Sequence, residues 1–551
     1  MPDADGPAGN TLEGRNQEAG LLSIGGRDAT VVNKKEKDPP MKPKHPVRKS
    51  KPAMTRRTFI HAAAAGAASF TIVPRHVLGG SGYIPPSDKI TIANIGCGTQ
   101  GLREMIRLLE NPEVQIVAVC DPNKFSTDYL DWSPNEIRDL IRTALDDPDW
   151  GACWQGIPGG RDIGKELVKK YYGKNKPSGE YRGCKSYKDY RKLLDREKDL
   201  DAVKIMTPDH HHAWLAIAAM KKGKHVITHK PIANRMSEAK LAIDMAGKSG
   251  VKTHLLAWSE RPEYGLVLKW IQGGVIGRLK EIHNWSYRPV WEQWPSRPKD
   301  KPPVPEGFDW KLWLGPVPNM AYHPRYTHNV FRGWYDFGGG SVADMGHYSL
   351  FPLFRALGIT TPAVSAKAYG TTHRYVDGNT YFWLENDVSF PLSCMIQLGF
   401  PEQPSLPTFD LFWYDGGMKP FIPEELKEDN RDMPDEGMMF VGDKGKILAG
   451  FRGERPEMIP SRLMKDYPGE KELPERERGR RTDSWVASIK NGEESPGSFI
   501  HAGPVTETIN LAAVALRARK KIEYDSMNMK ITNDEAANKY LTREYRKGWE
   551  L

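Results

Sequence analysis

From residue 88 onward, apolar residues alternate between two rhythms. In "KITIANIGCGTQGLREMIRLLE" (89–110), Ile90, Ile92 and Ile95 form a compact apolar run, and Leu102, Met105, Ile106 and Leu109 then repeat at helical spacing. The pattern predicts a buried strand, a tight turn and a helix. A second apolar run, "VQIVAVCDPN" (114–123), predicts the next strand. "LDAVKIMTPDHHHAWLAIAAMKKGKHVITHKPIA" (200–233) predicts a further strand–helix–strand unit, with Ala213, Ile217 and Met220 on the apolar helix face and Gly223 ending the helix. Strands alternating with helices predict an α/β fold with a parallel sheet. Residues 124–180 break the compact rhythm: a helical piece and a Gly/Trp-rich loop look inserted, either overhanging a site or decorating the surface.

The turn between the first strand and helix carries Gly96, Gly98 and Gly101 in G-x-G-x-x-G spacing, with Thr99 and Gln100 between them. Such glycines serve a tight turn, close approach of a diphosphate, and close helix–strand contact, while the helix N-terminus offers N–H groups to phosphate. Asp121 ends the second strand 20 residues after Gly101. A carboxylate there accepts hydrogen bonds from ribose hydroxyls and repels a 2′-phosphate, so NAD is expected over NADP. Pro208 precedes the next helix, which Asp209 can cap. His210, His211 and His212 are consecutive, and adjacent helical residues diverge, so no metal is expected. One of the three, His211, is expected at the cofactor cleft and the others in solvent.

Composition changes this picture only at the N-terminus. The chain has 551 residues, 39% hydrophobic and 27% charged, enough for more than one domain. Of the net charge of +9, residues 1–87 contribute +6 through 13 Lys/Arg against 7 Asp/Glu, so the basic character does not point to nucleic acid. The five cysteines show neither metal-ligand spacing nor a paired framework. Residues 1–53 read as a disordered leader, with Met54 as an alternative start. Residues 54–80 carry Arg56-Arg57 ahead of small apolar residues, a twin-arginine export signal. The apolar run of about 13 residues is short for the roughly 20 of a membrane span. Export by this route, to the periplasm or beyond, is therefore expected.

The segments "GCGTQG", "CDPN", "TPDHHHA", "GKHVITHKP" and "GGGSVADMGHYSLFPLFRALG" together resemble the Gfo/Idh/MocA (glucose-fructose oxidoreductase-like) family, over nearly all of residues 88–551. The resemblance implies a Rossmann domain, taken as 88–233, followed by a C-terminal α/β domain, 234–551, with a large open, mostly antiparallel sheet. It further implies a homo-oligomer built on that sheet, a tightly held NAD, and a sugar or glycoside substrate oxidised by hydride transfer. A branch of the family instead hydrolyses glycosides through transient oxidation. Where the family has Glu-Lys-Pro, this chain has His229-Lys230-Pro231; Lys230 matches the residue that contacts substrate and nicotinamide ribose and assists proton transfer. The family's Asp and His stand four apart, whereas Asp344, His347 and Tyr348 here lie at i, i+3 and i+4. Either His347 or Tyr348 is expected as Lys230's partner in acid–base chemistry.

Aromatic residues crowd 258–335. Sugars pack their C–H faces on flat rings and want polar groups nearby. Trp291, in the Pro-rich loop "RPVWEQWPSRP", is the candidate platform, with Arg332, His328 and Arg288 as polar partners; Trp310 and Trp313 read as core. The C-terminal "NKYLTREYRKGWEL" reads as a tail laid over the domain surface.

Overall fold

A computed structural model describes residues 84, 86–174, 181–466, 473 and 482–550. The leader and the twin-arginine segment lie outside the described residues. Six strands form one parallel sheet in the order β3-β2-β1-β4-β5-β6. They are β1 (Ile90–Ile95), β2 (Val114–Cys120), β3 (Lys185–Tyr187), β4 (Ala202–Ile205), β5 (His225–Thr228) and β6 (Thr253–Leu255). Helix α1 (Thr99–Leu109) follows β1, α2 (Glu136–Leu145) and α3 (Arg161–Gly173) lie between β2 and β3, α4 (His212–Met220) links β4 to β5, and α5 (Met236–Ser249) links β5 to β6. The inner strands β1, β2, β4 and β5 are short and mostly buried because helices cover both faces, whereas the edge strand β3 (Lys-Ser-Tyr) is partly exposed. The order reverses between β1 and β4, so the crevice for a ligand opens at their C-terminal ends.

Two expectations change. The parallel sheet continues past residue 233, because β6 pairs with β5. The stretch 124–180 is also not all insertion: α3 packs on β2 and β3 as the ordinary crossover between parallel strands. The added material is 124–160.

Behind the glycine turn, Lys204 on β4 is fully buried. Its ammonium donates to the Glu104 carbonyl at 2.7 Å and lies 3.8 Å from the Glu104 carboxylate, and burial brings its pKa down to about 8. This buried contact pins α1 against the sheet.

The second layer is a nine-stranded sheet in the order β15-β14-β13-β7-β12-β11-β8-β16-β17. It comprises β7 (Leu279–Trp285), β8 (Ser365–Gly370), β11 (Cys394–Phe400), β12 (Phe409–Tyr414), β13 (Gly437–Gly442), β14 (Lys446–Ala449), β15 (Glu457–Ile459), β16 (Ile522–Asp525) and β17 (Lys530–Ile531). Every pair is antiparallel except β7 with β12. A separate hairpin joins β9 (His373–Asp377) to β10 (Thr380–Leu384). Helix α7 (Phe499–Ala518) packs on this sheet, on α5 and on α6 (Gly340–Leu357), and α6 touches the sheet through Phe354 on Phe400 and Ser349 on Asn284. Strand β11 alternates strictly between buried and half-buried residues, the signature of a sheet with one face against helices. Among the described residues no helix is long and apolar enough to cross a membrane, and no cluster of metal-ligating side chains forms.

Candidate functional site

One cavity of about 840 Å³ runs across the C-terminal ends of the parallel strands and under residues of the second domain. Its floor is the glycine turn. Gly96 has φ +99°, and a Cβ there would fall 2.3 Å from the Met206 carbonyl; a Cβ on Gly101 would fall 2.3 Å from the Gly96 carbonyl. Only glycine lets strand, turn and helix close this tightly. Gly98 caps α1 without a side-chain hydrogen bond. The first N–H groups of α1, on Thr99, Gln100 and Gly101, have no intrahelical acceptor and line the cavity, which suits a diphosphate.

Asp121 does more than the sequence suggested. Its carboxylate accepts the Cys97 N–H at 2.7 Å and the Asn123 N–H at 2.8 Å, so it ties the two cofactor loops together. Burial pushes its carboxyl upward, opposed by those two N–H groups and by Arg161. Its remaining lone pairs border the cavity, where ribose hydroxyls can donate. Thr207 also lines the cavity, and its buried hydroxyl has no partner. An uncapped helix end, an acceptor at the tip of β2 and an unsatisfied hydroxyl fit a dinucleotide.

The insertion forms a wall of this cleft, which settles the choice between overhang and decoration. The Tyr129 ring packs on Gly98, where a Cβ would come within 3.0 Å of it. Its hydroxyl accepts from Asn123 at 3.1 Å, and the ring lies 4.0 Å, centroid to centroid, from His328. His328 in turn reaches Asp128 at 3.1 Å. Arg103 on α1 bridges Asp131 at 2.7 Å and Glu136 at 2.9 Å, which anchors the insertion to the cofactor helix.

The three histidines are all buried, contrary to the expectation that two face solvent. The aromatic segment around Trp313 and the Pro231 turn cover them, and their rings satisfy backbone carbonyls. His210 contacts Trp313 O at 2.9 Å, His211 contacts the same oxygen at 2.7 Å, and His212 spans Pro231 O at 2.6 Å and Thr207 O at 2.8 Å. Burial lowers the pKa of His211 and of His212 to about 4. His211 and Pro208 line the cavity. Beside His211 lies Trp549 of the C-terminal tail, its ring 5.9 Å from the imidazole and 4.8 Å from the Arg191 guanidinium. The tail therefore closes one end of the cleft.

At the other end, the segment after β5 meets α6. Lys230 is 2% exposed and ion-paired with Asp344, whose other partner is Arg332 Nε at 3.2 Å. Burial alone would raise the Asp344 carboxyl; Lys230 and Arg332 outweigh it and hold it at about 2. His229 Nε2 lies 2.9 Å from the Tyr348 hydroxyl. The Tyr348 ring is flanked by the Lys230 ammonium at 5.0 Å and the Arg452 guanidinium at 4.9 Å. Just outside the cavity lining, Asp209 accepts the Gly339 N–H at 3.1 Å, and burial brings its carboxyl up to about 6.

His347 and Tyr348 are placed differently. Tyr348 lines the cavity; His347 is fully buried off it, with Nδ1 on the Ala343 carbonyl at 3.0 Å and burial lowering its pKa to about 3. One helical step separates the two, enough to turn His347 into the core. The other expected residues, from the glycine turn and Asp121 to Lys230, Asp344, Arg332, Trp291 and His328, share the one cavity. Sequence reasoning missed Tyr129, Arg452 and Trp549. The Gly/Trp-rich character of the insertion and the aromatic tail were the only signals for the first and last, and nothing marked Arg452.

The fold and the cleft define a two-domain protein built on a dinucleotide-binding Rossmann sheet. The description "Oxidoreductase family, NAD-binding Rossmann fold" matches residues 165–256, and "Oxidoreductase family, C-terminal alpha/beta domain" matches residues 268–366 and 370–551. The chain belongs to the Gfo/Idh/MocA oxidoreductase family. It is 36% identical over 115 residues to levoglucosan dehydrogenase of Pseudarthrobacter phenanthrenivorans, covering 20% of this chain and 29% of that protein. It is 26% identical over 200 residues to a glycosyl hydrolase family 109 protein of Shewanella pealeana, covering 36% of this chain and 35% of that one. The chain thus spans about a third of the length of these curated relatives. Among solved structures it is similar to the WlbA dehydrogenase of Bordetella pertussis, determined with NADH and UDP-GlcNAcA, at 14% identity and TM-score 0.46, over 79% of this chain and 99% of that one.

Proposed function

We propose that this protein is an NAD-dependent oxidoreductase acting on a hydroxyl of a sugar or glycoside. The observation that carries the reading is the Lys230–Asp344–Arg332 ion cluster, set at the end of β5 in the cavity whose floor is the glycine turn. Kinship with levoglucosan dehydrogenase supports it. When bound, the nicotinamide supplies the hydride acceptor; the chain supplies everything else. Thr99, Gln100 and Gly101 hold the diphosphate by backbone N–H, and Asp121 holds the ribose and favours NAD over NADP. Asp344 fixes the Lys230 ammonium, which donates to the substrate oxygen as negative charge develops there. Tyr348 takes the hydroxyl proton and hands its own to His229. The imidazole that the family carries on its helix here arrives from the end of β5, and Tyr348 bridges it to the substrate. Exported protein has no soluble NAD pool, so the cofactor stays bound and is recycled in place, its hydride passing to the carbonyl of a second substrate, and the outer face of the nine-stranded sheet pairs copies of the chain.

The direct test is NADH formation from a panel of sugars by the holoprotein, with Lys230→Ala as the control. Turnover unaffected by that substitution would remove Lys230 from the chemistry. A second reading, net-neutral glycoside hydrolysis through transient oxidation, draws on the similarity to the family 109 protein. Release of phenol from aryl glycosides without net NADH would favour it; a persistent keto sugar favours the oxidoreductase. Cleavage of the twin-arginine segment, read by N-terminal sequencing of periplasmic protein, tests export.

A further inference from the structure

The substrate end of the cleft holds four cations: Lys230, Arg288, Arg332 and Arg452. Of the lining carboxylates nearby, Asp344 is already shared between Lys230 and Arg332, Asp131 and Glu136 beside Trp132 are taken by Arg103, and Glu292 is exposed. Arg288 is a third charge acting on Asp344, which places it at this end rather than at the diphosphate. Its guanidinium lies 4.7 Å from the Trp132 ring and 5.4 Å from the Tyr287 ring. Stacking on ring faces fixes the guanidinium plane and leaves its edge for a ligand. Its Nε is buried and has no hydrogen-bond partner, and Trp291 lines the adjoining wall.

A neutral sugar hydroxyl both donates and accepts, so a site built for neutral sugars alone needs acceptors as well. An excess of positive charge fits a ligand that only accepts.

We propose that the sugar taken at this site carries an anionic group, a carboxylate or a phosphate, received by the edge of Arg288 with Trp291 beside it and Arg452 adding charge. This rests on the sugar oxidoreductase reading above and specifies its substrate class. A planar carboxylate pairs two parallel N–H groups of one guanidinium, which gives orientation as well as affinity. Trp132 belongs to the insertion, so the insertion builds the anion site as well as the cofactor wall.

The test is calorimetric titration of the NADH-loaded full chain with D-glucuronate, D-galacturonate, glucose-6-phosphate, D-glucose and D-galactose. At least one acid is expected to bind about tenfold or more tighter than its neutral parent, the scale of one charge-assisted pair, and the acid that wins separates carboxylate from phosphate. Arg288→Gln should erase most of that advantage and Arg288→Lys should recover part of it. Melting curves and NADH titration check that each variant folds, and Arg452→Gln, expected to reduce the advantage as well, supplies an independent variant. Neutral sugars binding as tightly as every acid, or an advantage that survives in Arg288→Gln, would overturn the proposal. NADH loading without acid preference defeats this inference alone, whereas failure to load NADH defeats the oxidoreductase reading and this inference with it.

Discussion

Replacing Asp344 by Asn tests the ion cluster at the heart of the site. The Asp344 side chain is 11% exposed, Lys230 2% and Arg332 13%, so none of the three is well solvated. The carboxyl stands at about 2 in the folded protein against an ordinary 3.8. At about 1.4 kcal/mol per unit, that displacement corresponds to roughly 2.5 kcal/mol of preference for the carboxylate in place. Asn removes this preference and leaves an ammonium and a guanidinium facing each other in a dry cleft. The expected destabilisation is therefore about 3–5 kcal/mol at neutral pH, the range for breaking a buried pair from one side. Because the folded value lies below the unfolded one, the contribution is full above about pH 4 and fades as pH falls towards 2. Urea unfolding of both proteins across that window measures it. A neutral-pH difference below about 1 kcal/mol, or a difference that does not narrow in acid, would refute the reasoning.

Three other outcomes follow from the geometry. Tyr348→Phe removes the hydroxyl that His229 contacts at 2.9 Å, so kcat on any accepted sugar should drop by about 10²–10⁴, with His229→Gln falling in the same range; near-parental kcat in both would exclude the relay. Asp121→Asn keeps an acceptor for one loop N–H but loses the charge that repels a 2′-phosphate, so the ratio of NADP to NAD affinity, read by fluorescence titration, should rise about tenfold; an unchanged ratio would place the ribose elsewhere. Asp209 behaves oppositely to Asp344: burial raises its folded carboxyl to about 6 from 3.8, so it costs stability as pH rises from about 4 through 6. Asp209→Asn should therefore gain in melting temperature relative to the parent over that rise, and a gap independent of pH would show that the carboxyl is not perturbed.

The apolar rhythm made the parallel sheet legible, along with the glycine turn and the end of β5, because each is a local device: a few residues whose spacing carries its own geometry. The second domain and its open sheet were reached by resemblance to a family. What escaped depends on contacts far apart in sequence. His229 and Tyr348 are 119 positions apart, and Arg452 comes from the stretch beyond β14. The histidine run looked half-solvated because no local signal tells that the Trp313 carbonyl will turn inward to meet it. Asp121 was read for its ribose, yet its first partners are the N–H groups of Cys97 and Asn123, a demand made by the loop itself. The insertion broke the rhythm visibly, but only packing shows that it walls the cleft and that α3 belongs to the ordinary crossover.

The account stands most directly on a crystal structure of the full chain loaded with NADH. It predicts the diphosphate against the N–H groups of Thr99, Gln100 and Gly101, a ribose on Asp121, and the nicotinamide ring beside the Lys230 ammonium. Density for the nucleotide elsewhere, or a cleft that stays filled by its own side chains at saturating NADH, would contradict it.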